Sequence, residues 1–163
     1  MLERCYSDTY KKKNPTYIDC KVSDNFLHYE YFYEWCYKQA GFDNKGWHLD
    51  KDLLVKGNKV YSEDTCVFIP REINSLLTKR DNNRGKHLIG VCWNNTNKVF
   101  VARVSKNKAK SWYLGSFKKE IEAFNAYKTA KETFIKEQAE KWKDKIDYRA
   151  YKALMNYEVN IND

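Results

Sequence analysis

Basic side chains are concentrated in about a quarter of this 163-residue chain. Residues 79–119, the basic segment, hold eleven lysines and arginines against one acid, Asp81, which gives the segment a net charge of +10. Residues 1–78 and 120–163 each carry a net charge of −1, so the +8 of the whole chain originates in the basic segment. Lysine and arginine bind phosphate groups by charge-assisted hydrogen bonds. The distribution therefore predicts a surface that binds a polyanion, and nucleic acid is the polyanion that we favour.

A membrane surface is the other polyanion that such a segment can bind, but this requires a basic amphipathic helix. The basic segment lacks helical periodicity and instead has three β-type runs, at residues 88–93, 99–104 and 111–115, separated by polar turns. No stretch approaches the ~20 apolar residues of a membrane span, and the charged start of the chain lacks the apolar core of a signal peptide. We therefore expect no membrane partner and a location in the cytoplasm.

Alternation along the three runs predicts two faces for a three-stranded antiparallel sheet. The apolar face would carry Val91, Trp93, Phe100, Ala102, Val104, Trp112 and Leu114. The opposite face would be open and would carry Cys92, Asn94, Val101, Arg103, Ser105, Ser111 and Tyr113. Such a sheet can enter the major groove of DNA, where arginine binds guanine by two hydrogen bonds while lysines in the turns bind phosphates. The predicted DNA-binding residues are Arg84, Lys86, Asn94, Lys98, Arg103, Ser105, Lys106, Lys108, Lys110, Ser111 and Tyr113.

A long helix is predicted over about residues 119–143, because apolar residues recur there at helical spacing. Its stripe consists of Ala123, Tyr127, Ala130, Phe134 and Trp142. A short helix is predicted to follow at about residues 147–157. The second half of the chain is thus predicted to be a three-stranded antiparallel sheet packed on a long α-helix.

The first half of the chain is predicted to have a different organisation. After an irregular leader of 22 residues, a helix is expected over about residues 24–40, with Ser23 or Asp24 as its N-cap and Gly41 at its end. Its stripe is expected to lie in the core and consists of Phe26, Tyr29, Phe32, Tyr33 and Cys36. A strand, a loop, a second strand and a helix follow over residues 47–78. A polar link at residues 81–85 separates two predicted domains, 1–80 and 84–163, in an α+β protein.

Five cysteines, at positions 5, 20, 36, 66 and 92, include no Cys-x-x-Cys pair. An odd number without paired spacing argues against a disulfide framework or a zinc ribbon and predicts reduced thiols. A zinc site built from Cys20, Cys36 and Cys66 remains an alternative, because cysteines far apart in sequence can converge in a fold.

Four stretches of the second half form a pattern within residues 84–135. They are Gly90-Val-Cys-Trp, the strand Phe100-Val-Ala-Arg-Val, Tyr113-Leu-Gly-Ser-Phe117 and the helix start Glu120-Ile-Glu-Ala-Phe-Asn-Ala-Tyr127. This pattern resembles the Apetala-type (ethylene-response-factor) DNA-binding domain. The resemblance implies that the sheet reads the major groove of duplex DNA through positions 92, 94, 103, 105, 111 and 113. Only Arg103 stands where the family has several arginines, which implies lower sequence specificity.

A second pattern lies in the first half of the chain. It consists of Leu49-Asp-Lys-Asp-Leu53, Asn58-Lys-Val-Tyr-Ser-Glu-Asp-Thr-Cys66 and Ile73-Asn74. It resembles the His-Asn-His (ββα-metal) nuclease fold, which bacteriophages fuse to Apetala-type domains in mobile endonucleases. The resemblance implies metal ligands at Asp50 and Asn74, the catalytic base position at Lys51, and the position that orients the base at Thr65 or Cys66.

The catalytic part of this second pattern is degenerate. Lys51 stands where the family has a histidine, and a lysine is protonated at neutral pH and cannot accept a proton. His48 lies two residues before Asp50, on the same face of a predicted strand, and is the residue that can replace the missing base. We expect no cofactor unless the nuclease is active, in which case Mg²⁺ or Mn²⁺ would bind.

Three functions follow from these patterns. We expect first a bacteriophage DNA-binding protein related to mobile endonucleases, which binds duplex DNA through the sheet of residues 84–119. One alternative is an active metal-dependent endonuclease with His48, Asp50 and Lys51 as catalytic residues. Another is a bacteriophage inhibitor that binds a host defence protein or nucleoprotein, because a fold does not by itself determine a function. Each would act in the cytoplasm of the bacterial host.

Overall fold

The computed structural model describes residues 1–78, 85–107 and 110–162; for residues 106, 107 and 110 it describes the backbone alone. The structure is of the mixed α+β class, as predicted, and its contacts divide it into two units. Unit 1 comprises residues 1–74 and 142–153, and unit 2 comprises residues 75–141 and 154–163. The predicted domains, 1–80 and 84–163, differ from these units in where residues 75–80 and 142–153 belong. As functional domains they stay a prediction.

The first 22 residues are not the irregular leader that we predicted. They form α1 (Leu2–Tyr6), α2 (Asp8–Lys13), a 3₁₀ turn (Pro15–Tyr17) and β1 (Lys21–Val22). Ser7 is the N-cap of α2, where its hydroxyl accepts a hydrogen bond from the backbone N–H of Tyr10 at 3.3 Å. Helices of five and six residues are too short to display a 3.6-residue periodicity, which explains why the prediction failed.

The helix predicted over residues 24–40 is divided in two. α3 (Asp24–Leu27) begins at Ser23, whose hydroxyl accepts a hydrogen bond from the N–H of Phe26 at 3.4 Å, so the predicted N-cap is confirmed. His28 then has an extended backbone (φ −85°, ψ 112°), and α4 (Tyr29–Tyr37) follows it. Of the residues predicted for one stripe, Phe26, Phe32 and Cys36 lie in or against the core, whereas Tyr29 and Tyr33 are exposed.

A strand–strand–helix arrangement follows within residues 47–77. β2 (Trp47–Asp50) pairs antiparallel with β4 (Val67–Pro70), and α5 (Arg71–Leu77) begins directly after β4. β3 (Val60–Tyr61) belongs to another sheet, in which it pairs parallel with β1. The predicted order of elements is present, but the second predicted strand is split between two sheets.

The core of unit 1 connects the N-terminal segment with α3 and β3. Its buried residues are Cys5, Cys20, Val22, Phe26, Tyr61 and Cys66. The ring centre of Phe26 lies 4.9 Å from that of Phe32 and 4.7 Å from that of Trp35, which extends the core to α4. The cysteines of this cluster serve as small apolar side chains. All five thiols of the chain are free, and Cys92 is the exposed one.

Unit 2 contains the predicted three-stranded antiparallel sheet. β5 (Val91–Asn94), β6 (Val99–Asn107) and β7 (Lys110–Phe117) are arranged in the order β5–β6–β7, so β6 is the central strand. Val91 is paired with Ala102 across the first ladder, and Val104 with Trp112 across the second. The three-stranded antiparallel meander is confirmed.

The long helix that covers this sheet is α6 (Glu120–Trp142), within one residue of the predicted bounds at each end. Its buried residues are Ala123, Phe124, Tyr127, Ile135 and Ala139. Val104 is buried with Phe124 and Tyr127 in one cluster. The predicted stripe is right at Ala123 and Tyr127, whereas Phe134 and Trp142 are half-buried.

α7 (Tyr148–Met155) is the last helix of the chain that the structure describes, within the range predicted for a short C-terminal helix. Among the described residues, no helix has the length and apolar character needed to cross a membrane.

Candidate functional site

The exposed face of the β5–β6–β7 sheet brings four predicted DNA-binding residues together. Arg103 is paired with Tyr113 and Ser105 with Ser111, and residues directly opposite each other in antiparallel strands project from the same face. All four are exposed. The hydroxyl of Tyr113 lies 2.9 Å from Oγ of Ser116, which restrains the phenol ring. The face therefore presents one guanidinium and three hydroxyl groups, all of which can form hydrogen bonds with bases or phosphates.

A β-bulge in β7 determines which side chains reach this face. Ala102 is paired with Gly115, but the next residue, Arg103, is paired with Tyr113, so Leu114 is an extra residue in β7. Gly115 has a φ of 151°, which favours glycine. Leu114 packs against the buried cluster of the sheet and α6. The bulge thereby keeps Tyr113 on the exposed face and Leu114 in the core.

Three assignments from strand alternation are wrong in burial. Val101 lies on the same face as Arg103 but is buried, because β6 has a neighbouring strand on both sides that shields a short side chain. Trp112, predicted on the covered face, is 53% exposed although its partner Val104 is buried. Trp112 lies on the edge strand β7, where no further strand covers its large ring. Trp93, on the other edge strand, is 38% exposed for the same reason.

The turn between β5 and β6 uses one of the predicted DNA-binding residues for its own structure. Oδ1 of Asn94 accepts hydrogen bonds from the N–H groups of Thr96 (3.0 Å) and Asn97 (3.1 Å). Lys98 closes the turn in a left-handed conformation with a φ of 52° and is exposed. Asn94 therefore shapes the turn that presents Lys98.

The other basic residues that are predicted to bind DNA lie before β5 and near the connection between β6 and β7, or outside the described residues. Lys86 is exposed in the segment before β5. Lys106 lies near the end of β6 and Lys110 begins β7, so both flank the connection between these strands. Arg84 and Lys108 lie outside the described residues.

A carboxylate at the start of α6 holds the segment that leads into β5. Oε1 of Glu120 accepts a hydrogen bond from the N–H of Leu88 at 2.7 Å and lies 3.2 Å from Nδ1 of His87. An acidic side chain in the first helical turn is also favoured by the helix dipole. Glu120 thus fixes the edge of the sheet to the helix.

In unit 1, the structure brings His48 and Asn74 together. His48 lies on β2 and Asn74 on α5, and Nδ2 of Asn74 donates a hydrogen bond to Nδ1 of His48 at 2.9 Å. The imidazole accepts at Nδ1 when its proton is on Nε2. The contact arises because α5 follows directly on β4, the strand with which β2 is paired.

Asp50, a predicted metal ligand and catalytic residue, closes the turn after β2. Its Oδ1 accepts hydrogen bonds from the N–H groups of Asp52 (2.9 Å) and Leu53 (2.7 Å). Burial raises the pKa of Asp50 above its ordinary value and outweighs these two hydrogen bonds, which lower it. The pKa of Asp50 is therefore higher than that of an exposed aspartate.

Lys51 is buried and anchors the loop that follows β2. It is 6% exposed, and no other charged or polar residue is buried among the residues that the structure describes. Its ammonium group is paired with Asp52 and donates a hydrogen bond to the carbonyl of Asn58 at 2.8 Å, and Nδ2 of Asn58 donates back to the carbonyl of Lys51 at 2.8 Å. Lys51 therefore stabilises this loop by donating hydrogen bonds.

The two residues predicted to orient the base are also used by the fold. Oγ1 of Thr65 donates a hydrogen bond to the carbonyl of Val60 at 2.8 Å. Cys66 is fully buried, and burial raises the pKa of its thiol to about 12. The amide that contacts His48 comes instead from Asn74.

The predicted ligands of a Mg²⁺ or Mn²⁺ ion, Asp50 and Asn74, already have partners within unit 1. Within residues 1–78, 85–107 and 110–162, no three His, Cys, Asp or Glu side chains are grouped so that they could hold a metal, and this includes Cys20, Cys36 and Cys66. Oδ1 of Asp50 accepts from two N–H groups and Nδ2 of Asn74 donates to His48, so a metal ion would compete with these contacts.

Three tyrosines of α4 form an exposed row, although two of them were predicted to lie in the core. Tyr29, Tyr33 and Tyr37, the tyrosine row, are 75%, 43% and 59% exposed. The ring centres are 5.9 Å apart for the first pair and 4.9 Å for the second. Phe32 and Trp35 pack on the core of unit 1 instead. The signal in the sequence is the four-residue spacing of hydroxyl-bearing aromatic residues, which suit a surface better than phenylalanine does.

Comparisons with protein families, with characterised proteins and with solved structures find no match for this chain. The resemblances to the Apetala-type domain and to the His-Asn-His fold therefore stay predictions, and the functional argument depends on the geometry of the two sites.

Proposed function

We propose that this protein is a bacteriophage DNA-binding protein related to mobile endonucleases, and that it binds duplex DNA through the exposed face of the β5–β6–β7 sheet. The observation that carries the proposal is the grouping of Arg103, Ser105, Ser111 and Tyr113 on one exposed face within the basic segment. No acidic residue occurs between residues 82 and 119, so the sheet and its turns contain no group that repels phosphate.

The dimensions of the sheet support the major groove as its binding site. Neighbouring strands are about 4.8 Å apart, so the outer strands of a three-stranded sheet are separated by roughly 10 Å. The major groove of B-DNA is about 12 Å wide. Arg103 lies on the central strand β6, where it would face base edges, while Lys98 lies in a turn beside the sheet, where it would face the phosphate backbone.

The test is selection of bound sequences from a randomised duplex library at low salt. We expect the wild-type protein to bind duplex DNA and to enrich guanine at one position, and we expect Arg103→Ala to lose that enrichment, at a cost of about 1–3 kcal/mol in discrimination. Arg71→Ala, which removes an exposed arginine of unit 1, is the matched control and should keep it. Absence of duplex binding by the wild type, or the same enrichment with Arg103→Ala, would overturn the proposal.

A metal-dependent endonuclease is the second candidate, and the contact between His48 and Asn74 is the observation that favours it. It places an imidazole against an amide on the helix that follows the strand pair. With the amide rotated so that its oxygen accepts from Nδ1–H, Nε2 would be free to accept a proton. The position of Asp50 weighs against it, because Oδ1 of this carboxyl closes a turn by accepting from the N–H groups of Asp52 and Leu53.

Incubation of supercoiled plasmid with Mg²⁺ or Mn²⁺ separates the two candidates. We expect the wild-type protein to leave the plasmid supercoiled. Nicking that is lost in His48→Ala and in Asn74→Ala but retained in His28→Ala, an exposed histidine outside the site, would establish the second candidate instead.

A further inference from the structure

Tyr113 presents an aromatic ring on the face of the sheet that we propose to bind DNA. Its side chain is 60% exposed. The other exposed residues grouped with it on this face, Arg103, Ser105 and Ser111, present a guanidinium and two hydroxyl groups, and the aliphatic Val101 is buried. Charged groups and hydroxyls bind the polar edges of bases and the phosphates. Tyr113 is therefore the residue of this group that is suited to an apolar feature of the DNA.

Tyr113 lies directly beside Arg103. The two residues are paired across β6 and β7, and directly opposite residues have Cβ atoms about 4.5–5.5 Å apart. On the other side of β6, the N–H group of Arg103 donates a hydrogen bond to the carbonyl of Gly90 at 2.8 Å, and a glycine has no side chain. The phenol ring is thus the large cross-strand neighbour of the guanidinium.

The hydroxyl group of Tyr113 has a partner within the sheet. It lies 2.9 Å from Oγ of Ser116, three residues further along β7. This contact directs the hydroxyl group along the strand and leaves the carbon atoms of the ring exposed to a partner. Because the ring is restrained before DNA binds, it loses less conformational entropy on binding.

The major groove contains one apolar group that depends on the base sequence, the methyl group at C5 of thymine. The base 5-methylcytosine carries the same group at the same position. Neighbouring base pairs are about 3.4 Å apart along the helix axis, so two side chains with Cβ atoms about 5 Å apart can reach adjacent base pairs. With Arg103 on a guanine, the ring of Tyr113 would lie at the base pair beside it.

We propose that Tyr113 is a specificity-determining residue that contacts the methyl group at C5 of a pyrimidine in the base pair next to the guanine bound by Arg103. The inference rests on the proposed function, because it requires the exposed face of the sheet to lie in the major groove. It defines the preferred ligand as duplex DNA with a 5-methylpyrimidine beside a guanine. Burial of one methyl group adjusts the affinity for a site, whereas the basic side chains supply most of the binding energy.

The test compares duplexes that differ by one methyl group. The site comes from the selection with the wild-type protein, and the pyrimidine of each base pair next to the enriched guanine is varied in two matched pairs, thymine against uracil and 5-methylcytosine against cytosine. We expect loss of the methyl group in one of these base pairs to weaken binding about fourfold, the effect of one buried methyl-sized group. A response to the first pair identifies thymine as a source of the methyl group, and a response to the second identifies 5-methylcytosine.

Three variants assign the preference to the ring of Tyr113. Tyr113→Ala should bind the duplexes with and without the methyl group equally, and it should still enrich guanine because Arg103 is retained. Tyr113→Phe keeps the ring and should keep the methyl preference. Tyr148→Ala, which removes a tyrosine of unit 1 that is 67% exposed, is the matched control and should also keep it. Circular dichroism checks that each variant is folded.

Duplex binding by the wild type that is equally strong with and without the methyl group overturns this inference and leaves the proposed function intact. So does a methyl preference that persists in Tyr113→Ala. Loss of the preference in Tyr113→Phe would show that the hydroxyl group makes the contact, and loss of guanine enrichment in Tyr113→Ala would show that the ring acts through Arg103. Either result overturns a contact between the ring and the methyl group. Absence of duplex binding overturns the proposed function and this inference with it.

Discussion

The raised pKa of Asp50 makes the stability of the folded protein depend on pH. Burial raises the pKa of Asp50, so the folded protein holds the proton of this carboxyl more tightly than the unfolded chain does. The stability that results is present below the pKa of the unfolded chain. It is lost as the pH rises through the higher pKa of the folded state, because the buried group must then ionise.

Replacing Asp50 with asparagine should remove this loss, because the amide oxygen can still accept from the N–H groups of Asp52 and Leu53 and carries no charge. We expect the free energy of unfolding of Asp50→Asn, relative to the wild type, to increase in denaturant titrations as the pH rises above about 4, the ordinary pKa of aspartate. Asp64→Asn, at an exposed position of the same unit, should follow the wild type. A difference for Asp50→Asn that is constant with pH would contradict burial as the cause.

The same residues show how much of a site can be predicted from sequence. His48 and Asn74 are in contact, because a strand pair followed by a helix brings them together, and their function in one site stays a prediction. The sequence pattern did not predict the partners of Asp50 and Lys51, because these depend on the path of the loop after β2. Strand alternation specifies the face of a side chain but not the hydrogen-bond donors that a loop returns to it.

At the scale of elements, Gly90 allows the backbone before β5 to approach α6 closely. Gly90 has a φ of 76°, and a Cβ atom there would lie 2.0 Å from Cδ2 of Tyr127 on α6. Gly57 has a similar φ of 79° with no atom within 4 Å of the Cβ position. The two glycines therefore separate the cost of backbone conformation from the cost of a steric clash.

We expect Gly57→Ala to lower the free energy of unfolding by about 1 kcal/mol, from backbone strain alone. Gly90→Ala should lower it by about 2–4 kcal/mol, because the displacement of the Tyr127 ring adds an overpacking cost. Denaturant titration of both variants measures the difference. Equal losses for the two variants would show that the approach of Gly90 to α6 does not contribute to stability.

Elements with a long and regular pattern were predicted well, and short ones were not. The alternating strands and the 23-residue α6 were located correctly, because many residues repeat the same periodicity. α1, α2 and the break at His28 were missed, because each involves too few residues to establish a period. The prediction that Tyr29 and Tyr33 lie in the core fails for a related reason. It continues one helical period from Phe26 on α3 across His28 into α4, although these are separate helices.

At the scale of the whole molecule, the net charge is distributed unevenly along the chain. The basic segment carries +10, whereas residues 1–78 and 120–163 each carry −1. A net charge of +8 by itself would predict only non-specific attraction to any polyanion. If DNA instead contacts the turns of the sheet, the position of a lysine matters more than its contribution to the net charge.

Two triple variants test this distinction, because each reduces the formal charge from +8 to +5. Replacing Lys106, Lys108 and Lys110 with alanine should weaken binding to all duplexes alike and should reduce the slope of log K against log salt by up to about 3, since each lost phosphate contact contributes about 0.9. Replacing Lys11–Lys13 removes the same charge from unit 1 and should leave the slope unchanged. If the two variants reduce the slope equally, DNA is attracted by net charge and the sheet is not its binding site.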